Sequence, residues 1–458
     1  MNQANNKDTI VAISTPNGVG AIGVIRLSGE DAVKIVNTIF SGKNILEQAS
    51  HTIHLGKIIH KHEILDEVLV SLFLAPSSYT KENVVEISCH GSPYILQKII
   101  TALIDNGARP AKPGEFTQRA FLNGRFDLSQ AEAVADIIAS DSQAAHKIAM
   151  QQMRGGISSK LKELRTSLID FAALIELELD FGEEDVEFAD RKQLNILLHQ
   201  IQLEIEVLLQ SFQFGNAIKN GIPVAIIGKP NAGKSTLLNA LLNEERAIVS
   251  AIAGTTRDTI EEILTIDGYL FRFIDTAGLR EAKDEIEKIG IERSKETIDK
   301  ADIVIYLFDI SSEDFAVVEE ELKIIPKNKK VIILGNKQDL DKSNLDVSEP
   351  VFSDNFIAIS AKEKVGIDEL KTALIKLLLK DKIDQNAVII TNQRHYEALQ
   401  KSQNAIDEVI QKLQQNISSD FISQDIKTAL RHLGQITGVI DIDKDILATI
   451  FGKFCIGK

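Results

Sequence analysis

The sequence predicts an α/β-plus-α fold in which a doubly wound α/β segment interrupts a helical one, and three observations carry that expectation. Through residues 1–120, short apolar runs are separated by Gly- and Pro-containing turns. From about 128 to 210, and again after about 385, aliphatic residues recur every three or four positions, the period of a helix with one buried face. Between these stretches, residues 222–380 alternate strand-sized apolar runs with helical segments, as a parallel sheet covered on both faces does. The economical arrangement is a helical domain built from both sides of an inserted α/β domain. The expected segments are 1–120 (α/β), 121–215 (helical, first part), 216–384 (the insert) and 385–458 (helical, second part).

The strand-like runs of the first segment are 10–14, 21–27, 67–74 and 84–88. In the helical segment Leu161, Leu164, Leu168, Phe171 and Ile175 step by three and four, and Leu194, Leu197, Ile201, Ile205 and Leu208 do the same. The closing segment shows helical spacing at Leu399, Ile406, Ile410 and Leu413. Hydrophobic residues make up 44% of the 458, enough for real cores, and the net charge of −15 argues against a broad nucleic-acid surface while leaving room for a local basic patch. Two cysteines, Cys89 and Cys455, cannot build a disulfide framework, so the chain reads as cytoplasmic. The polar N-terminus lacks the core of a signal peptide. No run approaches the 18 or so apolar residues of a membrane span, so no membrane association is expected.

The insert carries the chemistry. The apolar run 222–227 leads into Gly228-Lys229-Pro230-Asn231-Ala232-Gly233-Lys234-Ser235, and Thr236 continues into a helical stretch. That is the strand, GxxxxGK[ST] loop and helix of a phosphate cradle. Backbone N–H groups at the helix start donate hydrogen bonds to the phosphates, Lys234 serves the β- and γ-phosphates, and Ser235 offers a hydroxyl to Mg²⁺. Further segments follow in order. Gly254-Thr255-Thr256 can close over Mg²⁺ and the γ-phosphate. Asp275-Thr276-Ala277-Gly278 offers a carboxylate for Mg²⁺ through water and an N–H for the γ-phosphate. Asn336-Lys337-Gln338-Asp339 offers a carboxylate that can accept guanine N1–H and N2–H together, a donor pair adenine lacks. Ser360-Ala361-Lys362 can buttress the base. Each falls at the C-terminal end of an expected strand, where doubly wound sheets bind ligands, so the nucleotide is GTP or GDP. Ras-like GTPases place a water-orienting Gln after the second of these motifs; here Leu279 stands there, so hydrolysis needs another group. Glu281, Asp284, Glu285 and Glu287 follow, and a solvated acidic helix face accounts for most of them.

These motifs, with the closing Phe454-Cys455-Ile456-Gly457-Lys458 and the N-terminal Ile13-Ser14-Thr15-Pro16, Gly20–Arg26 and Pro113-Gly114-Glu115-Phe116-Thr117 stretches, closely resemble the MnmE (TrmE) family of tRNA modification GTPases, over the whole chain. The resemblance implies a folate-binding, dimerising N-terminal domain, a helical domain, and an inserted Ras-like P-loop GTPase domain. It implies a homodimer, a flavoprotein partner of the MnmG (GidA) type, and tRNA as substrate. Together the partners form an aminomethyl-type group at C5 of the wobble uridine, with carbon from 5-formyl- or methylene-tetrahydrofolate. Hydrolysis is potassium-stimulated in this family. By position K⁺ falls to Asn231, Ser250, Ile252 and Thr255, Mg²⁺ to Ser235 and Thr256, and the catalytic acid is Glu287. Ala251, Ala253 and Gly254 complete the loop over the nucleotide. Folate contacts fall to Arg26, Glu86, Arg125 and Lys458, and Cys455 to the one-carbon chemistry. Arg125 stands where the family often has Lys. Two competing classes share such motifs. Ribosome-assembly GTPases usually append basic RNA-binding domains, and the tail here is not strongly basic. Iron-transporter GTPases bring membrane spans.

Overall fold

The structure, a computed structural model, describes residues 8–180, 191–244, 261–274, 295–340, 355–379, 388–415, 417–439, 452, 454 and 457. The chain divides into two compact units. One holds 1–139, 149–206 and 393–458, the other 140–148 and 207–392.

In the first unit, β1 (Ile10–Ile13), β2 (Ile22–Ser28), β3 (Phe40–Ser41), β4 (Thr52–His60), β5 (Glu63–Phe73), β6 (Val84–His90) and β7 (Arg109–Pro110) form one sheet in the order β3-β4-β5-β6-β2-β1-β7. All pairings are antiparallel except β1 with β7. Alternation along each strand sends Ile25, Leu27, Val70, Leu72, Val85 and Ile87 to one face, where the helices Ala32–Ile39 and Pro93–Asp105 cover them. The opposite face carries Ile10 and Ala12, packed on Phe116 of the helix Glu115–Leu122. Strand β4 was not expected. Its apolar Ile53 and Leu55 point outward and His54 points inward, which inverts the alternation by which a half-buried strand is recognised.

The helical part of this unit includes Leu128–Ile138, Gly156–Asp180, Gln393–Gln414 and Ser419–Thr437. The predicted stripes hold with local slips. Leu161, Leu164, Leu168 and Ile175 are buried, but Ala172 rather than Phe171 sits in the core between them. In the helix Arg191–Asn220 the buried residue is Leu198 and Leu197 is half-exposed, because four-residue steps from Leu194 keep the stripe on one face. In the C-terminal helices Val409 joins Leu399, Ile406 and Ile410 in the core, while Leu413 lies near the helix end and is only partly buried.

One polar cluster fixes these helices. Glu132 accepts from Arg394 through Nε (2.9 Å) and Nη2 (2.8 Å), and its Oε2 lies 2.7 Å from His395 Nε2. Arg394 donates onward to the carbonyls of Gln435 and Ile436. Burial alone would raise the Glu132 carboxyl, but His395 and Arg394 beside it outweigh that and hold it at about 2. Because its folded pKa is depressed, Glu132 contributes stability that is present above the ordinary carboxylate range and lost as pH falls toward 2. Glu132→Ala removes the carboxylate that the buried His395 and Arg394 share. It is expected to cost roughly 3–5 kcal/mol in denaturant unfolding near neutral pH, with the gap from wild type closing in acid.

In the second unit, β8 (Ile222–Ile227), β9 (Glu262–Ile266), β10 (Tyr269–Phe273), β11 (Ile303–Asp309), β12 (Lys330–Asn336) and β13 (Phe356–Ala358) form a sheet in the order β13-β12-β11-β8-β10-β9. All pairings are parallel except β9 with β10. Strands buried on both faces read as continuous apolar runs. In β11, Ile303, Ile305 and Leu307 pack on one side with Leu237, Leu370 and Leu374, while Val304, Tyr306 and Phe308 pack on the other with Val318 and Ile325. The order reverses around β8, whose neighbours β10 and β11 come later in sequence, and such a switch point opens a crevice at the strand ends.

Candidate functional site

The GxxxxGKS segment lies in that crevice, between β8 and the helix Lys234–Glu244. Gly228 has φ +146°, and a Cβ there would stand 1.9 Å from Leu307 O of the adjacent strand. Gly233 has φ +102°, and its Cβ would stand 2.1 Å from Asn336 Nδ2. Both positions therefore require glycine. Lys234 Nζ donates to the carbonyls of Gly228 (2.6 Å) and Lys229 (2.8 Å), and burial pushes its ammonium pKa down. Asn231, at φ +65°, and Ser235 are exposed at the loop tip and the helix start. Their oxygen donors suit hard cations such as Mg²⁺ and K⁺. Thr236 follows on the exposed side of the helix, and Ala232 is buried beneath the loop.

Asn336 closes β12 and ties three segments together. Its Nδ2 donates to Ala232 O (2.8 Å), and its Oδ1 accepts from the N–H of Ala361 (2.9 Å). Lys337, at φ +67°, bonds Asp309 at 2.5 Å, a partner the motif alone did not reveal. Asp339 Oδ1 accepts from Ser360 Oγ at 2.6 Å. That hydroxyl orients the carboxylate while leaving lone pairs for two further N–H donors. Lys362 is exposed beside them. The two motifs expected on the base side thus meet in the structure. Asp339→Asn is expected to weaken GTP by about 10- to 100-fold, the weight of a lost charge-assisted hydrogen bond, and to improve binding of xanthosine triphosphate. Calorimetric titration with both nucleotides checks this, and unchanged GTP affinity would remove Asp339 from the role. Lys229, within the phosphate loop, pairs with Glu313 and Glu321 at 3.0 Å each and so holds the loop to the helix Phe315–Leu322. No short motif signals that tie.

A second site lies in the other unit. Arg26 and Glu86 stand directly opposite in the β2–β6 register, and Arg26 Nε donates to Glu86 Oε1 at 2.8 Å. Arg26 and Arg125 both lie over the ring of Tyr79, at 5.4 and 5.2 Å from its centroid. Arg125 Nη1 donates to Ser78 O, and the Tyr79 hydroxyl bonds Thr117 at 2.8 Å. Burial pushes the Tyr79 phenol up, so it stays protonated. Beside them is a cavity of about 510 Å³ lined by His51, Phe73, Tyr79, Lys81, Glu86 and Arg125 among others. The family resemblance, not the bare sequence, pointed to Arg26, Glu86 and Arg125. It gave no signal for Tyr79 and Lys81, which reach the cavity from the β5–β6 loop, or for His51, which stands just before β4.

The profile of the MnmE helical domain matches residues 128–455, and that of the GTP-binding protein TrmE N-terminus matches residues 9–125. The tRNA modification GTPase MnmE of Cytophaga hutchinsonii is 54% identical over 457 residues, covering 99% of this chain and 98% of that protein. The protein of the same name from Flavobacterium johnsoniae is 54% identical over 465 residues, covering 99% and 100%. The chain belongs to the MnmE family. Among solved structures, Era in complex with MgGDPNP and nucleotides 1506–1542 of 16S ribosomal RNA is similar at 30% identity over 40% of this chain and 66% of that one, with a TM-score of 0.28.

For an MnmE-family chain the remaining expected residues are Ser250, Ala251, Ile252, Ala253, Gly254, Thr255, Thr256, Asp275, Thr276, Ala277, Gly278, Glu287, Cys455 and Lys458. These lie outside the described residues. Among the described residues, no helix is long and apolar enough to cross a membrane, and no cluster of three His, Cys, Asp or Glu could hold a metal ion. The metal positions expected from MnmE instead use hydroxyl, amide and carbonyl oxygens.

Proposed function

We propose that this chain is a GTP-hydrolysing enzyme of the cytoplasm that works with a flavoprotein partner of the MnmG (GidA) type. The pair forms the 5-carboxymethylaminomethyl or aminomethyl group at C5 of the wobble uridine of certain tRNAs, using a folate one-carbon unit. Its membership of the MnmE family makes it a GTPase of tRNA modification. In the nucleotide site, the N–H groups of 231–236 cradle the phosphates and Lys234 neutralises the β- and γ-oxygens. Asp339 selects guanine. Ser235 and Thr256 hold Mg²⁺, which when bound offsets phosphate charge. Asn231, Ser250, Ile252 and Thr255 hold K⁺, and Glu287 orients the attacking water.

The observation that carries the folate assignment is the cavity bounded by Glu86 and Arg125. A carboxylate suits the N–H edge of a pterin, Tyr79 and Phe73 offer flat apolar surfaces, and Arg125 and Lys81 suit the carboxylates of a glutamyl tail. Homodimerisation is supported by the same sheet face. Ile53, Leu55 and Leu69 are exposed on it, with Leu55 directly opposite Leu69 and Ile53 in line through Ser71 and Glu86 to Arg26. The test is mass spectrometry of tRNA nucleosides from cells lacking this chain. Aminomethyl-type groups at the wobble uridine should disappear and return with the restored gene. Intact wobble uridines together with immature ribosomes would overturn the reading in favour of a ribosome-assembly GTPase.

A further inference from the structure

The sequence suggests that Gly457 frees the C-terminal tail to turn, but the structure shows a held residue. Gly457 has φ +99°, and a Cβ on it would stand 2.2 Å from Ile13 O and 3.1 Å from Ser14 Cα. Its backbone therefore lies directly against the end of β1. Its carbonyl accepts from Ser14 Oγ at 3.1 Å and from Arg26 Nη1 at 3.3 Å. Three residues earlier, Phe454 is buried against Leu128 and Ala131.

The sheet explains why these two donors converge. Ala12 is opposite Arg26 in the β1–β2 register, and Ser14, two residues on, bonds through its N–H to Val24 O at 2.8 Å. A two-residue period puts Ser14 and Arg26 on one face as diagonal neighbours. Arg26 is in turn opposite Glu86, whose carboxylate lines the cavity. The hydroxyl, guanidinium and carboxylate thus form a row across three strands, with the tail carbonyl at one end and the cavity at the other. Arg26 is committed to both.

We propose that Ser14 and Arg26 form a clasp for the Gly457 carbonyl, and that Ser14, to which the sequence assigned no function, is the positioning residue that docks the C-terminal tail beside the Glu86 cavity. Gly457 is required because only a residue without Cβ can approach Ile13 so closely. The clasp depends on neither the folate nor the tRNA assignment, since it is built from contacts within the chain.

The clasped carbonyl belongs to the Gly457–Lys458 peptide bond, which carboxypeptidase B must reach to release a C-terminal lysine. On the purified 458-residue chain, Ser14→Ala should release Lys458 about fivefold faster than wild type, the factor that one hydrogen bond of ordinary strength supplies. Gly457→Ala changes the residue next to the cleaved bond as well as the clasp, so it is compared with the same substitution in a free peptide of the tail sequence. It should accelerate release from the protein but not from the peptide. Ser14→Thr keeps the hydroxyl and should restore slow release, which a mere loss of packing at Ser14 would not predict. Equal release rates from wild type and Ser14→Ala, or fast release from Ser14→Thr, would overturn the clasp. No folate or tRNA enters the assay, so its outcome is separate from that of the wobble-uridine test.

Discussion

Gly233→Ala is expected to abolish GTP binding in practice, lowering affinity by about a thousandfold or more. At φ +102° any L side chain is strained, at a cost of roughly 1–2 kcal/mol. The added methyl would also stand 2.1 Å from Asn336 Nδ2, so Asn336 must move. Asn336 is nearly fully buried, and its two side-chain bonds, to Ala232 O and from the Ala361 N–H, join the phosphate loop to the base-binding segment. Breaking buried bonds of this kind costs roughly 1–3 kcal/mol each. Together these losses come to roughly 3–8 kcal/mol, a range that spans the ~4 kcal/mol separating a micromolar from a millimolar ligand. Gly228→Ala meets the backbone oxygen of Leu307 at 1.9 Å, inside the sheet, so it should also lower the melting temperature. Calorimetric titration of Gly233→Ala with GTP, alongside a melting curve to confirm folding, decides the matter. A dissociation constant within tenfold of wild type would show that the loop can remodel around a side chain.

That such a prediction can be made at a single atom shows what the sequence carries and what it leaves out. The phosphate loop was legible because its chemistry is contiguous: strand, glycines, lysine and serine stand in one line, and a strand buried on both faces must be apolar throughout. The base-binding motifs were legible for the same reason. The clash partner of Gly233 was not, since Asn336 lies 103 residues on and meets the loop only through the parallel order of the sheet. The Glu132–Arg394–His395 cluster spans more than 260 residues and has no local period. Helical stripes were readable to within one residue, as Leu197 and Leu198 show, because neighbouring leucines on a 3.6-residue helix differ by only 100° in direction. Strand β4 was hidden by its apolar outward face, the feature that now supports dimerisation. At Gly457 the sequence showed the glycine but not the contact it makes. Glycine signals either freedom or close approach, and only the 2.2 Å distance to Ile13 O separates them.

Glu287→Ala is expected to leave GTP affinity unchanged and to slow hydrolysis by about 10²–10⁴-fold, the range of a positioned general base. The reasoning begins at Leu279, which occupies the place of the water-orienting glutamine of Ras-like GTPases and has no polar atom to offer. Another side chain must hold the water, and the MnmE resemblance assigns that role to Glu287, which lies outside the described residues. Charge that develops on the transferred phosphoryl group must also be met, and no arginine of the described loop is placed to do so. The loop residue next to Ala232 is Asn231, exposed and held at φ +65°. A monovalent cation of suitable size at its oxygen would supply that charge. Hydrolysis should therefore run faster in potassium than in sodium, and Asn231→Ala should remove the difference while retaining nucleotide binding. Single-turnover hydrolysis in the two salts, for wild type and both variants, separates the two roles. A Glu287→Ala enzyme that loses turnover but keeps its potassium preference would leave the ion site intact and the acid assigned. Equal wild-type rates in potassium and sodium, or a fully active Glu287→Ala, would mean that water activation in this chain uses neither group.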